Sequence, residues 1–242
     1  MAQSGSIYLG EETMKLFGAP LSPFVRKARI VAAEKAIDYE LDPSPSPLTG
    51  FSDEFLALNP LKRIPALLPD PARPDFAIND SSAICGYFEK LQPSPSVYPA
   101  NAEDYGRALY FEELADTELA AQVGMGVFRP VFFNVATGKP ADYETAGQGF
   151  EKLLNGLLAY LEDQLEGKTW LAGDDFSIAD IAVTSQLFSA AHAGYEVPAA
   201  RLPRLAGLVQ NCLARETVAQ FIEADLRFFD KMGMQLPKQV TA

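Results

Sequence analysis

The 242-residue chain is long enough for two modest domains or one large one, and at 48% hydrophobic and 21% charged it is ordinary globular material. A net charge of −12 argues against a nucleic-acid backbone as main partner, because phosphate binding needs a basic face. Its two cysteines, Cys85 and Cys212, form no close pair, which excludes Cys-rich zinc sites and a CxxC redox centre and fits a reduced cytoplasmic setting.

Residues 1–13 show neither helical nor strand period and read as a loose extension. KLFGA (15–19) predicts a short strand. In FVRKARIVAAEK (24–35) helical spacing puts Phe24, Ala28 and Val31 on one face and Arg26, Lys27 and Lys35 mostly elsewhere. IDYELD (37–42) alternates apolar and polar strictly, the mark of a strand, and PSPSPLTG (43–50) is a loop. SDEFLALN (52–59) predicts a short helix opened by Ser52. The apolar runs 64–68 and 76–78, on either side of a Pro-rich turn, predict two more strands, and a helix follows Asp80. The order βαβ, helix, ββα predicts an α/β domain over 14–91, a four-stranded mixed sheet with helices on its faces.

QPSPSVYPAN (92–101) reads as a linker, and thirteen of the 18 prolines lie in residues 1–101. Residues 102–232 read as all-helical, with long patterns over 102–127 and 143–166, and 233–242 as a tail. In 143–166 Phe150, Leu153, Leu154, Leu157, Leu161 and Leu165 form one stripe, closed by Gly167. FSIADIAV (176–183) carries a capping box, Ser177 with Asp180 three residues on, and a hydrophobic staple of Phe176 against Ile181. Asp180 is therefore expected to hold a helix start. No uninterrupted apolar run approaches the roughly eighteen residues that cross a membrane. No basic region with an apolar stretch marks a secretory signal, so no membrane partner is expected.

Residues 14–91 carry nine Lys/Arg against ten Asp/Glu, and residues 92–242 carry eleven against twenty. An anionic small molecule therefore prefers the first segment. Within it, Asp80 and Ser81 stand at the start of a helix, where free N–H groups and the dipole hold anions. An acid beside a hydroxyl there suits a zwitterionic group, such as the α-amino and α-carboxylate ends of an amino acid. The alternative is that both residues only cap the helix.

Four motifs in this order, LSPFVRKARI (21–30), NPLKRIPAL (59–67), INDSSAI (78–84) and WLAGDDFSIADIAV (170–183), resemble the cytosolic glutathione transferase superfamily. The resemblance spans Met14 to about Met232. It implies a thioredoxin-like N-terminal domain followed by an all-helical C-terminal domain, with glutathione as co-substrate and no metal. Ser22 stands where the family keeps the side chain that activates the glutathione sulfur, although a Ser-Pro pair is also a common helix opening. No cysteine occupies that position, and Phe17 falls where tyrosine-type members place their tyrosine. The family usually reads NPxGKVP where this chain has Lys62, Arg63, Ile64 and Pro65. By resemblance Pro65 is cis and the Ile64 backbone pairs with the cysteinyl part of glutathione. Arg63 reaches the glycine carboxylate or is a solvated surface charge.

Asp80-Ser81 replaces the usual Glu-Ser and by resemblance takes the γ-glutamyl end. An electrophile pocket is expected between the domains, with Tyr110, Glu113, Phe128 and Phe132 as candidate walls. His192, the only histidine, is expected to be a satisfied structural residue, and Cys85 a small core residue. The resemblance also implies a homodimer. Its activity is thiolate attack on an electrophilic small molecule. The alternatives are a glutathione-dependent isomerase, dehalogenase or peroxidase, or a non-catalytic binding or regulatory protein of the same fold.

Overall fold

Strand β1 (Lys15–Phe17) lies at the centre of the sheet, and its three residues are too few to hold a structure alone. The computed structural model describes residues 13–231. The expected extension, except its last residue, and the tail at 233–242 lie outside them. β1 runs parallel to β2 (Glu40–Asp42) and antiparallel to β3 (Ala66–Leu68), giving the order β2-β1-β3. The crossover from β1 to β2 is α1 (Pro23–Glu34); α2 (Asp53–Leu58) precedes β3, and α3 (Ser81–Leu91) closes the domain.

The fourth strand expected at 76–78 is reduced to one bridge. Ile78 pairs with Leu67 through two backbone hydrogen bonds of 2.8 Å, and the residues before it form a turn held by Arg73 and Phe76. Ile78 still occupies the sheet's fourth position beside β3, so the βαβ-α-ββα plan holds with three regular strands. β2 is likewise shorter than the alternation predicts, because only Glu40–Asp42 face β1.

After the linker, α4 (Ala102–Leu114), α5 (Ala120–Val123) and α6 (Arg129–Ala136) continue as one helix through two π-helical turns, Ala115–Leu119 and Gly124–Phe128. That helix contains an eighteen-residue window with a mean hydropathy of 1.2, long and apolar enough by composition to cross a membrane. Its apolar side packs on α9 (Ile178–His192), the most deeply buried helix of the second half. The single helix expected over 143–166 is two, α7 (Tyr143–Leu154) and α8 (Leu157–Gln164). Asn155-Gly156 breaks it, since neither residue favours a helix interior. Helices α10 (Pro203–Leu213) and α11 (Glu216–Lys231) complete the domain.

The capping box at α9 is formed. Asp180 accepts from the Ser177 N–H at 2.9 Å and its hydroxyl at 3.1 Å, and also from the Leu171 N–H at 2.9 Å. Phe176 and Ile181 are both buried beside it.

Helix α1 corrects the sequence reading most clearly. Helical spacing sets Arg26, Lys27 and Lys35 off the apolar face, yet all three are buried. Phe24 is only partly covered. The reason is that no residue of α1 is exposed, so the helix has no open polar face. It packs on α3 from one side and on α9 and α11 from the other, and each cation meets an acid or carbonyl there. Arg26 pairs with Asp225 at 2.8 Å and donates to the Ser185 carbonyl at 2.8 Å. Lys35 donates to the carbonyls of Gln92 and Pro95, at 2.9 and 2.8 Å, and so fastens the linker. Glu34 at the end of the same helix receives Arg215 and Thr217.

Candidate functional site

Three loops converge at one end of the sheet, and the strand directions dictate this. Phe17, the last residue of β1, pairs with Ala66, the first of β3, so the chain leaving β1 lies beside the chain entering β3. Ile78 runs antiparallel to β3, so its exit into Asn79 and Asp80 points to the same end. Ser22, Ile64-Pro65 and Asp80-Ser81 are thereby gathered from positions up to 59 residues apart. Such an edge, beyond the carboxyl end of β1, is where open α/β sheets bind ligands.

Gly18 makes the approach of the first two loops possible. Its φ is +142°, and a Cβ there would stand 2.6 Å from Val25 Cγ2 and 3.0 Å from Ile64 Cβ. Ser22 then occupies the N-cap of α1 with φ −65° and ψ 126°, followed by Pro23 in the first turn. Its backbone is fully engaged, the N–H with the Ala19 carbonyl and the carbonyl with the Arg26 N–H. Ser22 and Pro23 thus form the Ser-Pro helix opening, but the Ser22 hydroxyl makes no cap hydrogen bond.

The second loop is shaped by Asn59, which is fully buried. Its Nδ2 donates to the Arg63 carbonyl at 2.8 Å and its Oδ1 accepts from the Leu61 N–H at 3.2 Å. Lys62 has φ +56°, the left-handed region that favours glycine, at the position where the resembling family carries glycine. The Ile64-Pro65 bond is cis, as the resemblance implies. Ile64 is half-buried, Pro65 buried, and Arg63 exposed.

At the third loop Asp80 does cap α3. Its Oδ1 accepts from the N–H groups of Ser82 at 2.9 Å and Ala83 at 3.1 Å. It is nevertheless exposed, and Oδ2 makes no hydrogen bond among the described residues. Ser81, the first residue of the helix, is buried.

Beneath this edge lies a charged cluster that no sequence pattern marked. Lys27 Nζ donates to Ser82 Oγ at 2.9 Å, to Glu112 Oε1 at 3.0 Å and to Asp116 Oδ2. Ser82 Oγ in turn donates to Asp116 Oδ2 at 3.0 Å. Burial alone would lower the lysine pKa, but the neighbouring carboxylates raise it well above the ordinary value, so Lys27 stays charged. Cys85, one turn further along α3, is fully buried and its thiol is pushed up by that burial, which leaves it inert.

A second buried cluster sits behind Ser22. Arg26 approaches the Leu21 carbonyl at 3.4 Å and His192 Nδ1 at 3.4 Å while holding Asp225. Burial, reinforced by the Arg26 charge, holds His192 well below its ordinary pKa. Its 3.8 Å approach to Asp225 is therefore not an ion pair, and Nε2 is left without a hydrogen bond. His192 is buried, but the unsatisfied Nε2 departs from the satisfied histidine expected from the sequence.

The four candidate pocket walls are not brought together. Phe128 and Phe132 are buried, stacked at 4.9 Å, and Phe132 packs on Phe229 at 5.7 Å, so they belong to the core. Tyr110 is 49% exposed and meets the Tyr160 hydroxyl at 3.0 Å on the outside of the helical domain. Glu113 lines a cleft of about 470 Å³ with Ser82, Gly86, Tyr98, Tyr105 and Leu109. Each extra residue in a π turn rotates the remainder of the helix by about 100°, so spacing from Tyr110 does not carry across Ala115–Leu119 and Gly124–Phe128. Among the described residues no group of His, Cys, Asp and Glu is arranged to hold a metal.

Comparison with known proteins agrees with this architecture. Residues 16–96 match the family model for the glutathione S-transferase N-terminal domain, and residues 121–216 the one for the C-terminal domain. Glutathione S-transferase theta-3 of Mus musculus is 28% identical over 72% of this chain and 70% of its own length. Maleylacetoacetate isomerase of Rattus norvegicus is 28% identical over 78% of this chain and 83% of its own. Among solved structures, a glutathione S-transferase from Rhodospirillum rubrum F11 superposes with a TM-score of 0.75 and 26% identity, covering 86% of this chain and 91% of that one. The chain belongs to the cytosolic glutathione transferase superfamily. Its fold is the thioredoxin-like domain and helical domain of that superfamily.

Proposed function

We propose that the protein is a glutathione transferase in which Ser22 stabilises the glutathione thiolate for attack on an electrophilic small molecule. The carrying observation is the Ser22 hydroxyl, unused by its own helix at the edge where the Ile64-Pro65 loop and the start of α3 converge. A serine is too weak an acid to serve as a base at neutral pH, but it can donate to a thiolate, and the α1 N-terminus favours negative charge. Free thiols titrate near 8.5, so lowering the bound thiol by about two units leaves it mostly ionised at neutral pH. Catalysis then comes from presenting the sulfur already charged and oriented.

In this reading the Ile64 backbone pairs with the cysteinyl unit and exposed Arg63 takes the glycine carboxylate. Asp80 Oδ2 faces the γ-glutamyl amine while Ser81 holds its carboxylate. The electrophile lies against the second domain at walls other than Phe128 and Phe132. The site belongs to a homodimer in the cytoplasm. The exposed Tyr105 and Leu109 of α4 beside the Glu113 cleft support the first, and two buried free cysteines suit the second.

The match to maleylacetoacetate isomerases favours a second reading, a glutathione-dependent isomerase using the same thiolate. Calorimetric titration with glutathione, followed by conjugation to a generic aromatic halide, tests the first reading. Binding with turnover is expected. Binding without conjugation but with cis–trans isomerisation of an unsaturated diacid would favour the second, and binding with neither would leave a non-catalytic member. No binding at all would overturn both enzymatic readings.

A further inference from the structure

Lys27 is a buried lysine whose whole donor capacity is spent. An ammonium has three N–H groups, and its three partners are Ser82, Glu112 and Asp116. One cation thus serves two carboxylates, an arrangement costlier than packing the same space with apolar side chains unless the geometry does something else. The cluster joins three elements. Lys27 lies on α1 one residue past the Arg26 that closes the first turn, Ser82 on the first turn of α3, and Asp116 in the π turn Ala115–Leu119. That π turn is a departure from regular helix at the point where a carboxylate must face α3, and such departures cluster at functional positions. Ser82 connects the cluster to the candidate site directly. Its hydroxyl is held by Lys27 and Asp116, and its N–H is one of the two that fix the Asp80 carboxylate.

We propose that the Lys27–Ser82–Asp116 network is a positioning unit for the γ-glutamyl subsite, fixing the first turn of α3 and through it the orientation of Asp80 and Ser81. The proposal rests on the glutathione reading above. None of the three side chains need touch the tripeptide. Their effect is on where Asp80 Oδ2 and the Ser81 hydroxyl stand when it arrives, so the unit governs glutathione affinity, while thiolate stabilisation at Ser22 is independent of it.

Lys27→Met would leave buried Glu112 and half-buried Asp116 side by side without their cation and is expected to unfold the interface, so the decisive variant is Ser82→Ala. It detaches α3 from the network and leaves Lys27 with Glu112 and Asp116. Calorimetric titration of the full chain with glutathione is expected to show affinity weakened about fivefold, the scale of one lost hydrogen bond. The KM for glutathione should rise in step while kcat at saturation holds, and Ser82→Thr should recover most of the loss. In an Asp80→Ala background Ser82→Ala should cost less than it does in the wild-type chain, because the Asp80 route to the ligand has been removed and only the one through Ser81 is left. Wild-type affinity in Ser82→Ala, or a loss that simply adds to that of Asp80→Ala, would overturn the inference alone. Absence of glutathione binding by the wild-type chain would overturn the glutathione reading and this inference with it.

Discussion

Ser22 and Asp80 both open helices, yet only one of them does so with its side chain. Asp80 Oδ1 caps α3, whereas the Ser22 hydroxyl makes no cap bond. In the unliganded protein Asp80→Ala is therefore expected to lose about 1 kcal/mol, the usual worth of such a cap. Ser22→Ala should be neutral to within about 0.5 kcal/mol, as for a surface substitution. Urea unfolding of both variants checks the contrast, and equal losses would return Ser22 to a capping role. Glutathione affinity should follow the same order, with Asp80→Ala weakened more because it removes a charge-assisted contact of roughly 1.5–3 kcal/mol. Lys62 offers a third test. Relief of its left-handed backbone is worth about 1–2 kcal/mol. The extra freedom of glycine in the unfolded chain takes back about 0.4–1 kcal/mol. Lys62→Gly should therefore raise the unfolding free energy modestly, and a loss would mean that φ +56° carries no strain. At this scale the sequence is informative where residue type and spacing limit conformation, as at the Ser177–Asp180 box, whereas the cis bond at Pro65 is legible only through the family resemblance. It cannot say whether an N-cap side chain uses its cap, because that depends on a rotamer.

Helix α1 defeats sequence reading at its charged positions, and the reason is physical. Helical periodicity sees which residues share a face but not whether the other face is covered. The partners of Arg26 and Lys27 lie 199 and 85 residues away along the chain. Burial of Arg26 is tolerated only because Asp225 and the Ser185 carbonyl receive it. Asp225→Ala should cost about 3–5 kcal/mol, since it strands a buried cation, and the double change Arg26→Met with Asp225→Leu should recover part of that. Equal stability of wild type and Asp225→Ala would mean water reaches the guanidinium. Helix α9 adds a pH dependence. Burial pushes the Asp180 carboxyl up to about 6 from 3.8, outweighing the hydrogen bonds it accepts. An acid raised on folding binds its proton more tightly in the native state, so its contribution is fully present below 3.8 and is lost as pH rises through about 6. The fall is of order 3 kcal/mol across that window. Asp180→Asn, which does not titrate, should lack it. His192 has the opposite sign, its depressed pKa costing stability as pH falls below 6.5, so the comparison with the variant is what isolates Asp180. Parallel slopes in the two proteins would place the Asp180 pKa near its ordinary value.

At the scale of the molecule, the two-domain plan is legible because proline and hydrophobic period change together near residues 92–101. The sheet is legible in order but not in length, since three-residue strands are decided by which residues find a partner. The electrophile side is not legible, because two π turns reset the helical phase between Tyr110 and Phe132. Dimer formation is the prediction that belongs here. Sedimentation at micromolar concentration should give a species of twice the 26.3 kDa chain mass, and a single species at the chain mass would contradict it.

The central claim is that Ser22 holds a thiolate. Ultraviolet absorbance of the thiolate of bound glutathione, followed against pH in wild type and Ser22→Ala, tests it most directly. The wild-type curve should show a midpoint about two units below the roughly 8.5 of a free thiol. Ser22→Ala should move that midpoint up by about one unit, worth roughly 1.4 kcal/mol, with binding little changed. Superimposable curves for the two proteins would contradict the assignment of Ser22.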